Sequence, residues 1–113
     1  MNNEQFDEIL NKLGEYLKAD KTFVQNPFRV KEMIRAVTIL RELFPHYKME
    51  IKDDPLQMGA QILTVDAPDV VIRTEREREL FAEFTSLVDN FEIVPKGSEL
   101  HFAAVLQDVL IRV

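Results

Sequence analysis

A chain of 113 residues, 46% of them apolar, is large enough for one hydrophobic core and too apolar for global disorder. It has no cysteine, which excludes disulfides, thiolate catalysis and cysteine-ligated zinc. The net charge is −6, from 14 basic and 20 acidic residues. That balance argues against nucleic acid as a partner, and no apolar run approaches the length of a membrane span.

The N-terminal stretch MNNEQFDEIL is polar and acidic. It has neither the basic nor the apolar segment of a signal peptide, so a cytoplasmic location is expected. A helix is predicted from about Asn3 to Ala19. Phe6, Ile9, Leu10, Leu13, Tyr16 and Leu17 share one face there, opposite Glu4, Glu8, Lys12 and Glu15.

Asn26-Pro27 marks the next start, with asparagine as N-cap and proline at the first helical position. This helix is predicted to run to about Phe44, where Pro45 ends it. Val30, Met33, Ile34, Val37, Leu40 and Phe44 form its main stripe. Phe28, Ile39 and Leu43 lie off that stripe, so the helix is expected to be apolar on two sides and to pack between two neighbours. Arg29, Lys31, Arg35, Arg41 and Lys48 make the same region locally basic. Balance by neighbouring carboxylates accounts for that more economically than an anionic partner does.

Tyr47 to Arg73 reads as three β-like runs. Tyr47, Met49 and Ile51 alternate with Lys48, Glu50 and Lys52, a period of two that places one face on a core. Turns at Asp53-Asp54-Pro55 and at residues 66–69 separate this run from Leu56–Val65 and from Val70–Ile72. The reading is an antiparallel meander with Tyr47, Met49, Ile51, Met58 and Ile62 facing the helices. Thr74 and Glu77 then match a capping box. It opens a helix whose apolar face is Leu80, Phe81, Phe84, Leu87 and Val88. Phe91–Val94 is a short strand.

Residues 99–113 fit both helix and strand. Phe102, Val105, Leu106, Val109 and Leu110 have helical spacing, whereas Val109, Ile111 and Val113 alternate. The length of the segment favours a helix. The expected fold is therefore a single α+β domain over 1–113, an antiparallel β-meander packed against helices. Its expected order is α-α-β-β-β-α-β, followed by a helix or a strand.

Motifs for chemistry are sparse. His46 and His101 are far apart and have no metal-ligand spacing. The serines lie in no nucleophile-elbow context, and the three glycines form no phosphate-binding loop. The sequence therefore leans away from an enzyme, and no catalytic residue, metal or cofactor is expected. The expected role is protein–protein contact or self-association, including a homodimer. Phe28, Ile39, Leu43, Leu100 and Ile111 are the candidate interface residues. The alternative is a small-molecule domain with an apolar pocket between sheet and helices, lined by Met33, Met49 and Met58.

Overall fold

The computed structural model describes residue 4 and residues 23–54, 56–57, 59–67, 72–96 and 99–112. Apart from Glu4, the helix expected over residues 3–19 lies outside the described residues, as do Pro55, Met58, Val70 and Val71. The element order is β1 (Phe23–Gln25), α1 (Pro27–Leu43), β2 (Lys48–Asp53), β3 (Gln61–Ala67), α2 (Glu75–Leu87), β4 (Asn90–Lys96), β5 (Glu99–Leu106) and β6 (Leu110–Arg112). The fold class is α+β, with every strand pair antiparallel.

Local chemistry sets the helix boundaries. The Asn26 side chain accepts from the Phe28 N–H at the start of α1, and Pro27 occupies the first turn. At the start of α2 the Thr74 hydroxyl accepts from the Glu77 N–H at 3.0 Å. The Glu77 carboxylate in turn accepts from the Thr74 N–H at 3.2 Å. Two N–H groups that an isolated helix end leaves without partners are thereby satisfied.

The main sheet runs in the order β2-β3-β5-β4, and β1 pairs with β6 in a separate ribbon. Both helices cover one face of the main sheet. Met49, Ile51, Leu63, Val65, Phe102, Ala104 and Leu106 point into a single cluster with Met33, Val37, Leu40, Leu80 and Phe84. Phe102 is the hub of its aromatic part. Its ring centroid lies 4.4 Å from that of Phe91, 5.5 Å from Phe84, 5.8 Å from Phe44 and 6.4 Å from Phe81.

Four expectations are corrected. The second β-run begins at Gln61, not Leu56: residues 56–57 lie in a turn, and Leu56 is 95% exposed. Ile62 therefore faces away from the helices, because its β2 partner is Lys52 while Leu63 pairs with buried Ile51. Of the third run only Ile72 is described, and it is outside any strand; the second neighbour of β3 is β5 instead. Residues 99–112 are two strands, so the helix that length favoured does not form. The segment breaks at Gln107-Asp108, where Asp108 takes a left-handed φ of 55°. Aspartate tolerates that conformation better than most residues.

Candidate functional site

Six large apolar side chains are exposed among the described residues: Ile34 on α1, Ile93 on β4, and Val24, Phe28, Leu56 and Ile111 on elements that meet at one end of the molecule. There the turn between β2 and β3, the start of α1, and the β1–β6 ribbon come together. The Leu110 N–H donates to the Gly59 carbonyl at 3.0 Å, and the Asn26 N–H donates to the Val109 carbonyl at 2.9 Å. Val24 and Ile111 are direct cross-strand partners on the ribbon and are 43% and 41% exposed. Phe28, one residue into α1, is 78% exposed. Together with Leu56 these make four large apolar side chains held out to solvent on elements that hydrogen bonds tie together.

Arg29 fixes this end to the rest of the fold. Its Nε donates to the Gln107 carbonyl at 2.9 Å and its Nη1 to the Leu87 carbonyl at 3.2 Å. Nη1 also meets Glu32 at 3.1 Å, and Nη2 pairs with Asp89. Asp89 accepts from the Gln107 N–H at 2.7 Å. One guanidinium thus joins α1, the C-terminus of α2 and the β5–β6 turn. Only arginine has the forked donors for such a junction.

Three cations of the basic run noticed in the sequence, Arg29, Arg35 and Lys48, have carboxylate partners within the chain. Arg35 makes a two-pronged contact with Glu83 on α2, at 2.5 and 2.8 Å, and Lys48 pairs with Glu50 at 2.8 Å. The hydrogen bond to Arg35 holds the Glu83 carboxyl below the usual glutamate range.

The candidate interface residues separate into distinct environments. Phe28 and Ile111 are exposed and lie at the same end of the molecule. Ile39 is 0% exposed and belongs to the core, so it has no surface to offer a partner. It follows Arg35 by one helical turn, on the side of α1 that meets α2. Leu43, one further turn on, packs against the same core. The second apolar side of α1 therefore faces α2. The Leu100 side chain lies outside the described residues. Sequence reasoning missed Val24, which gains its meaning only from pairing with Ile111, and Leu56, which was assigned to a strand.

A second feature lies on the sheet face opposite the helices, a depression of about 290 Å³. Its floor is Ile62, Thr64, Ala103 and Val105, with Thr64 only 8% exposed. Its walls are Lys52, Glu92, Pro95 and His101. The Nδ1 edge of His101 meets the carboxylate of Asp66, its direct partner across β3 and β5. Met33 and Met49, which the alternative reading set on a pocket between sheet and helices, are buried in the core cluster, and Met58 lies outside the described residues. Among the described residues no group of histidine and carboxylate side chains is arranged to hold a metal ion, and no helix is long and apolar enough to cross a membrane.

No family model, curated protein or solved structure matches this chain.

Proposed function

We propose that this domain works by protein–protein contact and self-associates through the end of the molecule that carries Val24, Phe28, Leu56 and Ile111. The observation that carries the reading is the Val24–Ile111 pair. Two large apolar side chains are set side by side on a two-stranded ribbon and left facing water. Single exposed apolar residues are ordinary on protein surfaces, whereas a grouped set marks an interaction surface. The charges around this end favour a copy of the same chain. Asp53, Asp54, Asp108 and Glu32 neighbour Val24, Phe28, Leu56 and Ile111 along the chain, together with Arg29, Lys31 and Arg112. A mixed-sign rim lets two identical surfaces meet without strong repulsion, as a twofold contact requires.

Light scattering coupled to size exclusion tests this over a hundredfold range of concentration. The expected result is a mass that rises above the 13.2 kDa of one chain and an Ile111→Glu variant that stays folded and monomeric. Ile111 is exposed within the chain, so glutamate there leaves the core intact. A parent that stays at the single-chain mass throughout contradicts the proposal.

A further inference from the structure

We propose that the depression on the sheet face opposite the helices binds a small aliphatic zwitterion, with its carboxylate at Lys52 and its ammonium at Glu92. The motive is a pair of opposite charges on the lining of the depression. Arg29, Arg35 and Lys48 each have a carboxylate partner. The side chains of Lys52 and Glu92 make no ion pair or hydrogen bond among the described residues, and they stand on opposite sides of one depression. Lys52 is on β2 and Glu92 on β4, the two edge strands of the main sheet. Their backbones are three strand spacings apart across the sheet and two residues apart along it, about 16 Å in all. Both side chains are long enough to reach inward over the floor.

The floor is apolar and short. Ile62 and Val105 are direct partners, with Thr64 and Ala103 beside them. An aliphatic body laid on that floor removes apolar surface from water, while the two charged ends keep their orientation. His101 supplies a third polar group. Its Nδ1 edge lies against the Asp66 carboxylate, and the residue lines the depression. The Thr64 hydroxyl lies on the same floor. A ligand of one charge sign would meet one attractive and one repulsive wall, so the arrangement selects against simple anions and simple cations.

The probe is free leucine, with isovalerate and isopentylamine as its singly charged counterparts. The readout is the amide resonances of residues 62–64 and 103–105. Leucine is expected to shift them with a Kd of about 1 mM, and each counterpart to bind about tenfold more weakly. Lys52→Met and Glu92→Gln, both changes at exposed positions, are each expected to weaken leucine binding by about tenfold. Ile111→Glu is expected to leave it unchanged, because this site is separate from the association surface. No shift of these amides at about 10 mM leucine, ten times the expected Kd, overturns the proposal. So does an affinity unchanged by both wall substitutions, or isovalerate binding as tightly as leucine.

Discussion

Phe102 and Arg29 do most to hold the fold together, in opposite chemical ways. Phe102 reaches four other rings, from both helices' side and from β4, and no smaller side chain fills that volume. Phe102→Ala is expected to lose about 3–5 kcal/mol of stability in urea denaturation, from lost burial and from the cavity left behind. Arg29 acts through directed hydrogen bonds to Gln107, Leu87, Glu32 and Asp89. Arg29→Met should cost about 1.5–3 kcal/mol, the range for hydrogen bonds to a charged group. Arg29→Lys should recover only part of this, because an ammonium cannot reach both carbonyls and both carboxylates at once. Equal stability of the lysine variant and the parent in the same titration would show that the charge suffices. The sequence revealed the first role in part, since Phe102 fell on the helically spaced apolar pattern drawn through the C-terminal segment. The Arg29 role was not legible. Its partners lie up to 78 positions away, and no local pattern marks them.

At the scale of elements, the helices could be read and the late strands could not. Asn26-Pro27 and Thr74/Glu77 are local signals with local mechanisms, and each sets a helix start where expected. The segment after residue 98 carried its signal in one turn. Read as a single stretch, it is too long for a strand; divided at Gln107-Asp108, it is two strands of ordinary length. Buried Phe102, Ala104 and Leu106 then show the period of two. Ile62 was placed on the wrong face for a related reason. Starting the second run at Leu56 counted turn residues as strand, and the true strand starts at Gln61 with Leu63 and Val65 inward.

Gly59 holds that turn against β6. Its φ is +84°, and a Cβ there would lie 2.1 Å from the Leu110 carbonyl oxygen. Gly59→Ala is expected to cost more than about 1 kcal/mol and to expose the Leu110 amide to solvent exchange. Unchanged protection of that amide would show that the turn adapts. The contact between α1 and α2 has a pH signature. Because Arg35 lowers the Glu83 pKa in the folded state, the pair stabilises the fold above the unfolded glutamate pKa. That contribution is lost as pH falls through the lower folded value. The stability gap between the parent and Glu83→Gln should therefore be widest near neutral pH and narrow as pH falls below the unfolded glutamate pKa of about 4.3. A gap that stays constant across the titration would assign the effect to packing.

For the molecule as a whole, what could be read from the sequence was that apolar residues exceeded what one helix stripe could bury. Where they would lie could not be read. Ile39 and Leu43 turned inward because α2 packs on that side of α1, whereas Phe28 and Ile111 stayed outside. Their grouping with Val24 and Leu56 depends on a ribbon between residues 23–25 and 110–112, a pairing across nearly the whole chain. Self-association through this end is the central claim. The most direct test is the mass of the parent and of Ile111→Glu by light scattering, from low to high concentration, with circular dichroism to check folding. A parent mass rising toward two chains, beside a folded variant fixed at one, is the predicted result. A parent that remains at one chain throughout, or a folded variant that associates as strongly as the parent, would contradict it.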